Sequence, residues 1–195
     1  MILDLLTENP SYFFAWVAAI TIALTGHEFA HALADSKQGD DTPESLGRLT
    51  LNPLAHIDLI GFMALILIGF GWGKPVPFNP NNLRNKKFGA AIVSLAGPLA
   101  NLIMVLVFGL LLKLGIIYGH FGPDNLGMVF LVLLLELNVV LLVFNLIPLP
   151  PLDGSKILFS ILPASLDAVE KFLTRYGQML LIFLVLFDSS LPRPI

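Results

Sequence analysis

Four stretches of this chain, residues 12–34, 88–113, 128–149 and 166–187, read as membrane spans. Crossing about 30 Å of hydrocarbon takes roughly 20 helical residues. Water is absent there, so each stretch must satisfy its own backbone as a helix. The chain is therefore predicted to be an all-α polytopic membrane protein with about four full transmembrane helices, forming one domain over 1–195. Composition agrees, since 56% of the 195 residues are hydrophobic and 13% charged, against about 25% charged in soluble proteins. The lipid bilayer is the partner this implies. A net charge of −3 without a basic block argues against nucleic acid. The opening MILDLLTENP has no lysine or arginine, unlike a signal-peptide n-region, so the first apolar helix is expected to be retained. With no cysteine, neither disulfides nor thiolate ligands are available.

The region between the first two spans, 35–87, is polar and broken by turn formers. Its alternating Arg48, Leu49, Thr50, Leu51 reads as a short strand, lying at the interface or covered by helices because strand edges cannot face lipid. The apolar run 59–70 would reach only about 18 Å as a helix and is read as re-entrant. A short helix is expected at 155–162. Counting charges, Lys37, Arg48, Lys74, Arg84, Lys86, Lys87, Lys156, Lys171 and Arg175 fall on one face, leaving Lys113 and Arg193 on the other. The positive-inside bias makes that face cytoplasmic and puts the N-terminus outside, as in a bacterial-type inner membrane. The Arg84–Lys87 cluster RNKK reads as an orientation anchor.

Within the first span, TGHEFAHALAD places His27 and His31 four residues apart, one helical turn along and on one face, so both imidazoles can reach one ion. Glu28 follows the first histidine, where it can touch a metal-bound water without being a ligand. Ionisable groups inside a membrane helix cost at least about 2.5 kcal/mol each and mark function. A third ligand must come from elsewhere, and His56, Glu136, Asp153 and His120 have suitable side chains. Depth favours Asp153. The first and third spans run in the same direction, and NLIPLPPLDG, Asn145–Gly154, ends the third with prolines that can aim a carboxylate sideways near the cytoplasmic end of the first. Glu136 lies roughly 20 Å up its helix and is too far.

HEFAH in a membrane helix, AGPLAN at Ala96–Asn101 and NLIPLPPLDG together resemble the site-2 protease family of intramembrane zinc metalloproteases, in a short form without a PDZ domain. GRLTLNPLAHIDLIG, Gly47–Gly61, resembles the segment between that family's first core helices. The resemblance implies one Zn2+ held by His27, His31 and Asp153, with Glu28 as the catalytic general base. It implies Asn101 and Asn145 as residues lining the substrate cleft, and a small membrane-associated β-hairpin after the first span, within 35–87, that pairs with an unwound substrate. The activity implied is peptide hydrolysis within or near transmembrane segments of membrane-anchored proteins, releasing membrane-tethered regulators. Ala30 stands where the family has a small glycine.

Other polar residues are read more plainly. His56, beside Asp58 in a loop, is a candidate for zinc or oxyanion binding and equally for a structural hydrogen bond. Asn145 is a further oxyanion candidate. Asn138 shares its face and is a candidate for interhelical hydrogen bonding. Glu136 points away from Asn145. Asp35, one turn after His31, is a candidate partner for a ligating imidazole but is read first as a solvated helix end. The competing functions are a membrane transporter of zinc or another divalent metal, which needs a ligand relay through the bilayer, and a non-catalytic metal-binding receptor, which would be expected to lose Glu28.

Overall fold

Asn9 and Pro10 open the first long apolar helix. The Asn9 side chain accepts from the Tyr12 amide at 3.1 Å, and Pro10 occupies a position where its missing N–H costs nothing. In this computed structural model, which describes residues 2–69, 71–119, 121–122 and 125–190, a short helix α1 (Leu5–Glu8) precedes α2 (Pro10–Lys37). The order continues α3 (Thr42–Ser45), α4 (Leu59–Ile68), α5 (Gly89–Ile117), α6 (Leu126–Asn145), α7 (Asp153–Ile161) and α8 (Asp167–Ser190).

Helices α2, α5 and α6 pack against one another, and α7 lies against α5. These three are long and apolar enough to cross a membrane. Ala15 and Ala19 of α2 meet Leu133 and Leu134 of α6 in a buried cluster, where small side chains let the helices approach. Away from it, Leu106, Leu110 and Ile117 of α5 are exposed, as a lipid-facing surface would be. Pro148 bars helical geometry at Ile147, so α6 stops at Asn145, four residues before the expected end at 149. Within the run 59–70, Leu59–Ile68 form α4, ten residues between an Asp58 cap that accepts from Gly61 N at 2.8 Å and Gly69 at φ 78°. Gly69 is the left-handed residue that stops it.

Two expectations are corrected. No β-hairpin forms over 35–58, for no strand occurs among the described residues. Arg48 turns inward, 6% exposed, and its guanidinium donates to the carbonyls of Ala55, Lys74 and Pro75. The stretch expected as a fourth span forms α8, but α8 is not among the helices apolar enough to cross. Its first three turns carry Asp167, Glu170, Lys171 and Arg175, with Lys171 Nζ donating to Asp167 Oδ2 at 2.6 Å. It braces the loop after α6: a methyl group on Gly177 would sit 2.9 Å from the Pro150 carbonyl oxygen.

Candidate metal centre

His27 and His31, one turn apart on α2, present Nε2 atoms 3.0 Å from each other. Asp153 opens α7 and brings Oδ2 to 3.2 Å from His27 Nε2 and 3.1 Å from His31 Nε2. The three residues are buried and form a group able to hold one metal ion.

The donors fit zinc by geometry and chemistry. Ligands about 2.0 Å from a tetrahedral ion stand about 3.3 Å apart, close to the three edges seen here. His31 Nδ1 lies 2.7 Å from the Val93 carbonyl oxygen, a pure acceptor, so the proton sits on Nδ1 and Nε2 carries the lone pair. His27 Nδ1 donates likewise to Asn101 Oδ1 at 2.6 Å. Asp153 Oδ2 is buried and has no hydrogen-bond partner. Three buried lone-pair donors thus face one point with no proton to share, an arrangement that a cation stabilises.

The surroundings explain how the chain closes so tightly. Gly97 of α5 abuts both imidazoles: a methyl group there would lie 2.4 Å from His31 Nε2 and 2.6 Å from His27 Cε1. Gly154 is equally tight, its missing methyl falling 2.3 Å from the Leu146 carbonyl oxygen, so the loop after α6 can fold under α7. On the outer side of Asp153, Lys156 Nζ stands 4.0 Å from Oδ1 and 5.1 Å from the Phe78 ring centroid.

Glu28 is buried, and its Oε2 accepts from the Val76 amide at 3.2 Å. Val76 lies between Pro75 and Pro77 in an irregular segment, so it carries the one backbone N–H of that tripeptide. The segment is pinned at both ends. Upstream, Arg48 holds the Lys74 and Pro75 carbonyls, and Lys74 N donates to His56 O at 2.8 Å. Downstream, buried Asp40 accepts from Asn79 N and from Asn82 Nδ2.

Other sequence candidates fall elsewhere. His56 is fully buried and donates from Nε2 to the Thr50 carbonyl at 2.8 Å, organising the loop rather than joining the metal group. Asn101 is also fully buried, behind His27 rather than facing an open cleft. Asn145 is half-buried at the end of α6, its Nδ2 donating to the Leu141 carbonyl at 3.0 Å. Glu136 is exposed and lines a shallow hollow with Tyr12 and Met128. His120 lies outside the described residues. Asp35 is not a solvated end: it is fully buried, because the chain folds back and the Gln38 and Asp40 amides donate to its carbonyl. Sequence reasoning missed Gly97, Arg48 and Asp40 as organisers of the site. Gly97 stood inside the AGPLAN motif, but nothing local marked the others.

Comparison with known proteins agrees with this geometry. Residues 117–186 match the family model described as Peptidase family M50. The chain is 39% identical over 182 residues to "Putative zinc metalloprotease YwhC" of Bacillus subtilis (strain 168), covering 90% of this chain and 80% of that protein. It is 35% identical over 150 residues to "Putative zinc metalloprotease Rip2" of Mycolicibacterium smegmatis (strain ATCC 700084 / mc(2)155), covering 71% of this chain and 53% of that protein. No solved structure matches. With a buried two-histidine, one-aspartate centre among apolar helices and this extent of identity, the chain belongs to peptidase family M50, the site-2 protease family.

Proposed function

We propose that this protein is an intramembrane zinc endopeptidase that hydrolyses peptide bonds within or near transmembrane segments of membrane-anchored proteins. The observation that carries the reading is the convergence of His27, His31 and Asp153 beside Glu28 within a body of apolar helices. His27, His31 and Asp153 would hold one Zn2+. When bound, zinc supplies Lewis acidity, polarising the scissile carbonyl and bringing the pKa of a water towards about 7.

The chain's own residues supply the rest. Glu28 takes the proton of the attacking water on the oxygen not held by Val76, then delivers it to the leaving amine. Asn145 is the amide best placed in sequence to hold the developing oxyanion, since its side chain otherwise bonds only within α6. The apolar surroundings keep bulk water from the site and strengthen each of these interactions. A substrate helix must unwind, because its amides are already bonded and hide the scissile carbonyl. The gathering of basic residues on one face supports a site near the cytoplasmic side of an inner membrane.

Glu28→Gln in the full chain should retain zinc, lose cleavage and trap uncleaved membrane proteins that can be recovered from the membrane fraction. Retained cleavage by this variant would sink the mechanism. Uptake of zinc into proteoliposomes by the wild type, without peptide cleavage, would favour a transporter.

A further inference from the structure

Behind the histidines, a directional hydrogen-bond chain runs through α2, α5 and α6. On α6, Asn138 Nδ2 donates to the Leu134 carbonyl at 2.7 Å. Its Oδ1 accepts from Asn101 Nδ2 on α5 at 2.8 Å. Asn101 Oδ1 in turn accepts from His27 Nδ1 on α2 at 2.6 Å. Asn101 and Asn138 are fully buried and His27 is 3% exposed, so water does not compete along the chain.

The direction follows from its far end. A backbone carbonyl only accepts, so Asn138 must turn its amide nitrogen to Leu134 and its oxygen to Asn101. Facing an oxygen, Asn101 must offer its own nitrogen, which leaves its oxygen for His27. Facing that oxygen, His27 must carry its proton on Nδ1, and Nε2 is left with the lone pair that a metal needs. Flipping either amide would set oxygen against oxygen or N–H against N–H in a buried site, at a cost of about 1–3 kcal/mol for each group left unsatisfied.

We propose that Asn138 is a positioning residue of the metal centre: acting through Asn101, it transmits the polarity of the Leu134 carbonyl to His27 and fixes which ring nitrogen is free to ligate. The inference rests on the metal-centre reading, but concerns a residue two hydrogen bonds from the ligand. Asn138 is one of several amides in the apolar helices, and interhelical adhesion alone would require no particular direction of donation.

The test uses the full chain in detergent, with zinc as the probe and chelator competition to measure affinity. Asn138→Leu, of similar volume, should weaken zinc binding about tenfold or more, within the usual range for residues supporting a ligand. Asn138→Asp should stay within about threefold of wild type, because a buried carboxylic acid can donate to Leu134 and accept from Asn101 in the same sense. In an Asn101→Leu background, Asn138→Leu should have no further effect, since the relay is already cut. Independently of metal, 15N-histidine spectra of the metal-free chain should show a single Nδ1–H tautomer for His27 in the wild type and a mixture in Asn138→Leu, the resonance being assigned by comparison with His27→Ala. If Asn138→Leu fails to fold by circular dichroism, Asn138→Ala is read in the same way.

A folded Asn138 variant with wild-type zinc affinity and an unchanged His27 tautomer would overturn the proposal. So would an undiminished effect in the Asn101→Leu background. A wild type that binds no zinc would instead count against the metal reading, with the tautomer measurement still deciding the relay.

Discussion

Gly97 and His31 stand 66 residues apart in sequence, on α5 and α2, yet the bare α-carbon of one sits so close to the ring of the other that a single added methyl would fall 2.4 Å from Nε2. The ring has little room to give, because it belongs to the group able to hold a metal ion and its Nδ1 is already held by the Val93 carbonyl. Gly97→Ala should therefore leave the helices assembled but displace the imidazoles. Zinc affinity, measured on the purified full chain, is expected to fall at least about tenfold. Unchanged affinity would mean that α5 lies farther from α2 than described.

Asp153→Asn tests the third donor with almost no change of shape. A neutral amide offers a weaker ligand and cannot balance the cation's charge, so the metal should be lost on dialysis while helix content is kept. Metal analysis beside circular dichroism separates these outcomes.

Val76→Pro removes one atom group of interest, the N–H on Glu28, from a segment already shaped by Pro75 and Pro77. Zinc content should be unaffected. Cleavage of a substrate identified by trapping should slow about tenfold, the value of one hydrogen bond of about 1.4 kcal/mol. Val76→Ala keeps the N–H and should keep the rate. Faster cleavage by the proline variant would show that the segment obstructs the site instead.

Arg48→Met leaves three carbonyls without their buried donor, those of Ala55, Lys74 and Pro75. A loss of about 2 kcal/mol or more in stability is expected. The damage should concentrate in the 71–78 segment, visible as faster amide exchange there than in α2. Uniform exchange changes would argue against a local pin.

Asp40 gives the pinned segment a pH dependence of predictable sign. Burial pushes its carboxyl up, but hydrogen bonds from Thr42, Asn79 and Asn82 outweigh this and hold it below the ordinary range. Because the folded value lies below the unfolded one of about 3.9, the contribution is complete above about pH 5 and is lost as pH falls through the folded value. Limited proteolysis of the 79–88 loop should thus be slow and constant from neutral pH to about 5 and accelerate in stronger acid. Asp40→Asn should abolish that dependence.

The residues of the metal-holding group were legible in the sequence because much of the pattern is local. His27, Glu28 and His31 share a face by helical spacing alone, and the prolines before Asp153 mark where a helix must end. The long apolar runs fixed helices and three of the spans, since hydrocarbon leaves the backbone no other choice. The supposed strand at Arg48–Leu51 failed for the opposite reason. Its alternation is local, but the partner that mattered was a guanidinium reaching carbonyls 7 to 27 residues away.

What the sequence by itself determined is therefore the membrane setting, the helices and the donor types, all set by short-range periodicity and by the insolubility of charge in lipid. Only the tertiary structure decided that Asn101 backs His27 instead of facing an open cleft, that His56 serves a loop, and that Asp35 is buried. Those outcomes depend on which side chain a neighbouring helix or loop brings within about 3 Å, a matter of packing between distant segments that no local pattern encodes.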